Sequence, residues 1–456
     1  MNTLKLLIIA GIFISQSLLY SQVISMDFPH FAGKSYEFIL FQGDKQEKVI
    51  EGKIPDDGKF TLVVPKQYVP YQGMSRWLIT NSEDGGGLDM VISGRDFSVS
   101  CQESKPNDTN IIYSGNAEVA ELRDLYKRQQ EIIMRYTSMQ QAMKSFDRTD
   151  KNFHVFEQES REQEASFKKF QQEIKQNPDY AKMFLSMVNI TMGIGTELSD
   201  DEKVRGRNIA DYIVEEINWD ALYTSGHWST IISSWVDIHT RVLHDDNSFV
   251  NEFIKLTDKI NDKKLYKDFA RITAYYLTQQ GRDALISVIA PYVISSGKID
   301  DYEGSLSAYK MGAVGTQAPD LILKEYIGSV DAHNYKLTTL KSNDMADKIY
   351  KKTLLIFYES GCGPCENLLQ QLPGKYEDIR SKGVRLISVS ADKDESVFSN
   401  TSKKFLWKEN YCDYEGIRGI NFKNYGVAGT PTLVLIEPDG KIVAKTASLD
   451  DLLKNL

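Results

Sequence analysis

The sequence predicts a multidomain protein with an N-terminal all-β sandwich-like domain, a central all-α domain and a C-terminal α/β domain. Three observations predict this. The chain has 456 residues, more than one hydrophobic core usually serves. Of twelve prolines, five lie between 22 and 115, five lie beyond 318, and only Pro178 and Pro291 lie between. Helices exclude internal proline, so the middle of the chain is free to carry long ones. Strand and helix patterns alternate only over about the last 140 residues. Composition narrows the function. Hydrophobic residues make up 41% and charged residues 26%, as in core-forming proteins. Lys plus Arg is 54 and Asp plus Glu is 63, a net charge of −9, which argues against a nucleic-acid partner, since phosphate contacts need a basic face. Four cysteines are too few for a disulfide framework.

The first element, residues 1–21, reads as a signal peptide. Lys5 precedes an apolar run from Leu6 to Ile14, and small Ser21 offers a cleavage site. The apolar stretch falls short of the roughly 20 residues that span a bilayer. No cysteine follows it to take a lipid anchor. The expectation is a soluble exported protein, periplasmic or equivalent, cleaved near Ser21 or Gln22.

From 22 to 115 the chain reads as β. Runs at Tyr36–Phe41, Lys48–Ile54, Phe60–Val64, Trp77–Thr80, Leu88–Ile92, Phe97–Cys101 and Ile111–Tyr113 are separated by turn signals such as Pro55-Asp56-Asp57-Gly58. Their spacing suits a small sandwich. From 116 to 312 the period becomes helical, starting with Val119, Leu122, Tyr126, Ile133 and Tyr136 behind Asn116 as an expected cap. His239 and His244 near Asp245 suggest a metal, but five residues is a poor spacing for two ligands on one helical face. They read as surface or capping residues. Trp219, Trp228 and Trp235 read as core.

From 315 to 456 strands and helices alternate. An opening hairpin, Leu321–Leu323 with Tyr335–Leu340, precedes the buried strand Thr353–Tyr358. Gly361-Cys362-Gly363-Pro364-Cys365 follows, then a helix from Glu366 to about Arg380. Strand Val384–Ser390, a helical stretch to about Trp407 and a loop lead to Val427-Ala428-Gly429-Thr430-Pro431. Strands Thr432–Ile436 and Lys441–Lys445 and a short helix capped by Ser448 complete the chain.

The chemistry lies at the strand-to-helix turn. Cys362 would sit at a helix N-terminus, where free N–H groups and the helix dipole favour a thiolate, the nucleophile of disulfide exchange. Cys365, three residues on, shares the helical face, and its sulfur can reach Cys362. Pro364 is tolerated in a first turn. Cys362 can therefore attack a partner disulfide and Cys365 can resolve the product. A zinc site would need two more close ligands, and only Cys412 and His333 offer themselves, so no metal is expected.

These residues carry a resemblance. Residues 315–456 resemble the thioredoxin-fold domain of the TlpA/ResA-like thiol–disulfide oxidoreductases. Gly315-Thr-Gln-Ala-Pro-Asp320 is similar to the family's opening segment, Cys362-Gly-Pro-Cys365 is identical to the thioredoxin motif, and Gly429-Thr430-Pro431 matches its cis-proline segment. The whole layout resembles, more loosely, multidomain exported proteins of Bacteroidetes-type bacteria. The resemblance implies a nucleophilic Cys362, a resolving Cys365, a cis Pro431, and Thr430 offering backbone to a substrate strand. It implies no cofactor. Its partners would be protein disulfide substrates and an upstream thiol donor, with reduction the expected direction. Three family positions depart: Ile356 replaces a buried Asp, Leu368 replaces a Glu, and Gly361 replaces a Trp. The proton acceptor for the second thiol is thus unassigned, with Glu359 and Glu366 the nearest carboxylates. A peroxiredoxin-type peroxidase reading is weakened by Glu359, which stands where that chemistry places a Thr. A binding or scaffold protein with secondary redox activity is the alternative, and the helical domain is the candidate surface for a homodimer. Cys412 reads as a partly buried free thiol in a loop or helix end, with a third redox-active thiol or a bridge to Cys101 as the alternatives.

Overall fold

The structure is a computed structural model that describes residues 22–81, 85–310, 312–326, 335–345, 350–427 and 429–456. The expected signal peptide, His333 and Ala428 lie outside the described residues. The chain forms two compact units. One ends at Arg128 and includes Pro178–Lys182; the other comprises Gln129–Asn177 and Met183–Leu456.

The first unit is built from β1 (Gln22–Asp27), β2 (Ser35–Gln42), β3 (Lys45–Lys53), β4 (Lys59–Val64), β5 (Gln72–Thr80), β6 (Gly87–Ser93), β7 (Phe97–Ser100) and β8 (Ile112–Ser114). Among the described residues they form two four-stranded sheets, ordered β4-β1-β7-β8 and β3-β2-β5-β6. Alternation buries Ile24 and Met26 of β1 and Phe38 and Leu40 of β2 in one shared core around Trp77. The Pro55–Gly58 turn needs its glycine: Gly58 has φ 74°, and a Cβ there would strike the backbone of Phe28 and Pro29. Strand β1 was missing from the expected set, because its start abuts the apolar leader and blurs the alternation. Asn116 does not cap with its carboxamide oxygen, which has no hydrogen-bond partner among the described residues; its Nδ2 donates to the Val91 carbonyl (2.8 Å).

Helix α1 (Ala117–Ser145) contains the boundary between units. It is followed by α2 (Phe153–Gln176), α3 (Tyr180–Thr191), α4 (Glu202–Glu215), α5 (Trp219–Tyr223), α6 (Trp228–Asp237), α7 (Asp246–Lys259), α8 (Lys263–Gln279) and α9 (Asp283–Ser295). Aspartate and asparagine caps start several of them; Asp262, for example, accepts from the amides of Lys264 and Leu265. Trp219, Trp228 and Trp235 are buried as expected, with Trp235 stacked on Phe249 (4.7 Å between ring centres). His239 departs from expectation. It lies in a π-helical turn, Ile238–Leu243, and is fully buried, with Nε2 2.8 Å from Oε2 of Glu252. Glu252 comes from the next helix, a tertiary contact that local spacing does not encode. His244 does cap that turn, at φ 52°.

The C-terminal part opens with the antiparallel hairpin β9 (Leu321–Tyr326) and β10 (Tyr335–Leu340). Then come β11 (Lys352–Tyr358), α10 (Gly363–Ser381), β12 (Val384–Ser390), α11 (Glu395–Ser402), β13 (Glu409–Cys412), α12 (Ile420–Asn424), β14 (Thr432–Ile436), β15 (Ile442–Thr446) and α13 (Leu449–Leu453). The sheet runs β13-β12-β11-β14-β15, with β12 parallel to β11 and β13, and β14 antiparallel to β11 and β15. Strand β11 is buried on both faces. Leu354 and Ile356 pack with Leu368 and Leu372 of α10, while Leu355 and Phe357 pack with Phe422 and Tyr425. Helix α11 ends at Ser402, not near Trp407, and Cys412 lies in a strand, not a loop or helix end. The short β13 escapes a periodicity search because its Glu-Asn-Tyr-Cys is mostly polar; Arg385 of β12 secures it through Glu409, at 2.8 and 2.6 Å.

Candidate redox site

Strand β11, the central strand, delivers the chain to one end of the sheet, and Glu359–Gly361 turn it into α10. Gly361 takes φ 78°, the left-handed region that favours glycine, which accounts for the absence of a larger residue there. Cys362 is the N-cap of α10 and Pro364 falls in its first turn. The carboxylate of Glu366 reaches back to accept from the Gly361 amide (3.0 Å), closing the helix start. Cys362 is half-buried and Cys365 fully buried.

The two sulfurs are adjacent: the Cys365 thiol donates to Cys362 Sγ at 2.9 Å. Thr430, delivered by the approach to β14, sits over them. Its hydroxyl donates to Cys362 Sγ at 3.9 Å, and its carbonyl lies 3.6 Å from the same sulfur. The Thr430–Pro431 bond is cis. The structure thus brings Cys362, Cys365, Thr430 and Pro431 together at one end of the sheet. Burial, followed by the hydrogen bond with Cys362, pushes the Cys365 thiol up to about 12.

The two family acceptor positions are apolar here. Ile356 is fully buried and Leu368 sits in the core beneath α10. Glu366 accepts from the Gly361 amide, and Glu359 lies exposed, with its backbone carbonyl accepting from the Cys362 amide (3.4 Å).

A supporting cluster was not visible in the sequence. Buried Asp392 accepts from the Ser360 amide (2.9 Å) and hydroxyl (2.7 Å), and the Thr401 hydroxyl lies 2.9 Å from that of Ser360. This pins the turn before Cys362 to the end of β12. The Cys412 thiol donates to the Asp392 carbonyl (3.2 Å), and burial pushes it up to about 12. Cys101 is likewise a buried free thiol. Among the described residues no cluster of His, Cys, Asp or Glu could hold a metal.

A βαβ–hairpin sheet with a dithiol at a helix N-terminus defines a thioredoxin-like domain of the thiol–disulfide oxidoreductase class. Residues 350–442 match the thioredoxin-like family. The chain is similar to the thiol-disulfide oxidoreductase ResA of Bacillus cereus, 28% identical over 142 residues, covering 31% of this chain and 74% of that protein. It is 26% identical to ResA of Bacillus anthracis over the same length, covering the same shares. Among solved structures, the thioredoxin domain of a thiol-disulfide oxidoreductase from Bacteroides vulgatus is 26% identical, covering 31% of this chain and 94% of that one, with a TM-score of 0.26. A thioredoxin-like protein from Bacteroides caccae is 16% identical, covering 57% and 93%, with a TM-score of 0.36.

Proposed function

We propose that this protein is an exported reductase of protein disulfides that works through Cys362 and Cys365. The observation that carries the reading is the adjacency of the two sulfurs, 2.9 Å apart at the start of α10 beneath Thr430. In the reaction, the Cys362 thiolate attacks a substrate sulfur, forming a mixed disulfide and releasing one substrate thiolate, which takes up a proton. Cys365 then loses its proton and attacks Cys362 Sγ, releasing the second substrate thiolate and closing the Cys362–Cys365 disulfide. The substrate gains two electrons and two protons; an upstream dithiol donor restores the enzyme. Export is supported by the leader pattern of residues 1–21, and among the described residues no helix is long and apolar enough to cross a membrane.

Reduction of insulin disulfides tests the roles. Cys362→Ser abolishes turnover, and Cys365→Ser accumulates mixed disulfides with substrate, seen as adducts on non-reducing gels. Faster alkylation of Cys365 than of Cys362 in the native protein would refute the assignment. Faster oxidation of a reduced substrate than reduction of an oxidised one would reverse the direction.

A further inference from the structure

The redox site does not stand alone on the thioredoxin-like sheet. Beside it is a cleft of about 370 Å³. One wall is Pro364, Leu368 and Gln371 of α10 with Gly429–Pro431. The lining continues with Ala447–Asp450, also from the thioredoxin-like region, and with Thr278, Gln279 and Gln280 at the end of α8, from outside it. The approach of α8 is close. Gly429 has no positive φ, and a Cβ there would meet the tip of the Gln279 carboxamide, a flexible side chain free to swing aside, so the contact marks the closeness of the two segments and not a requirement for glycine. Gln279 is exposed at the mouth, and buried Thr278 beside it has a hydroxyl without a hydrogen-bond partner among the described residues.

We infer that the end of α8 is part of the substrate site, and that the cleft lined by Gln279 and Asp450 selects extended polypeptide segments that are neutral or basic around the disulfide. The inference rests on the redox reading above and adds the substrate class to it. A cleft of this size takes one or two side chains, so an extended chain fits between the walls and a folded surface does not. Among its described lining residues the cleft carries one carboxylate, Asp450, and no cation, so an acidic flank meets repulsion at the mouth. Gln279 is a specificity residue; it does not touch the reacting sulfurs.

Single-turnover reduction by the full, pre-reduced chain tests this, using short peptides cyclised by one disulfide and flanked by Lys, Gln or Glu, alongside hydroxyethyl disulfide. The wild type reduces the Lys- and Gln-flanked peptides faster than the Glu-flanked one. Gln279→Lys raises the Glu-to-Lys rate ratio by about threefold or more, and Gln279→Glu lowers it, as expected for one partly screened charge. The ratio is taken within each variant, so altered folding or thiol reactivity cancels. An unchanged ratio in both variants overturns the inference. A wild type that reduces neither the peptides nor hydroxyethyl disulfide overturns the redox reading instead.

Discussion

Burial holds the Cys365 thiol in its protonated form, and in the proposed cycle this is expected to make resolution the slow half. The thiol's elevated position has burial as the largest cause, and burial persists when Cys362 is tied up in a mixed disulfide. The Thr430 side chain and the Glu359 backbone pull in the other direction without restoring an ordinary thiol. The thiolate is the attacking form, and below the pKa its fraction grows tenfold per pH unit. Release of substrate from a preformed Cys362 mixed disulfide is therefore expected to quicken by about tenfold per unit between about pH 7 and 9, measured by stopped-flow. A flat profile would mean that a base close to Cys365 accepts the proton. The dithiol and the Gly429-Thr430-Pro431 segment could be singled out from sequence because each motif is contiguous. Asp392, Ser360 and Thr401 could not. Their contacts span 32 and 41 residues, and Asp and Ser are common on surfaces, so only folding reveals that this Asp is buried against the redox turn.

At the scale of elements, β15 and α9 are joined by charge. Lys445 and Asp283 are 2% and 4% exposed at their side chains and form an ion pair at 3.6 Å, longer than a hydrogen bond. Burial drives both toward their neutral forms, lowering Lys445 and raising Asp283, and the opposite charge of each partner resists. Lys445 also donates to the carbonyls of Tyr425 and Gly426 (2.9 and 3.0 Å), just ahead of the Thr430 segment. Asp283→Asn leaves the ammonium without a counter-charge and is expected to cost about 3–5 kcal/mol by denaturant unfolding. Asp283→Leu combined with Lys445→Met is expected to cost less than Asp283→Asn alone, and a larger loss in the double variant would refute this account. None of this is visible to a pattern search: Lys445 alternates within an ordinary strand and Asp283 looks like a solvated helix start. By contrast β11, β12 and β14 were legible, because buried strands write continuous apolar runs, while polar β13 writes none.

At the scale of the molecule, the apolar clusters on both faces of the C-terminal sheet are assembled from residues between 314 and 456. A fragment covering 315–456 is therefore expected to fold, with cooperative thermal unfolding by circular dichroism and retained reduction of hydroxyethyl disulfide. Its melting temperature should fall below that of the full chain, because Lys445 loses Asp283. A fragment without cooperative unfolding would show that the helices supply part of its core. Such independence has a limit written into the seam. The Gln279 carboxamide lies where a Cβ at 429 would stand, a Cβ on Gly281 would strike the Ala447 amide, and Asp283 answers Lys445. Three positions around the turn from α8 to α9 are thus matched to three separate points of the thioredoxin-like region. Grafting a homologous catalytic region onto these helices would transplant the thiols yet leave the seam mismatched. The two regions are therefore expected to drift in concert through evolution, each substitution at the seam constrained by its counterpart.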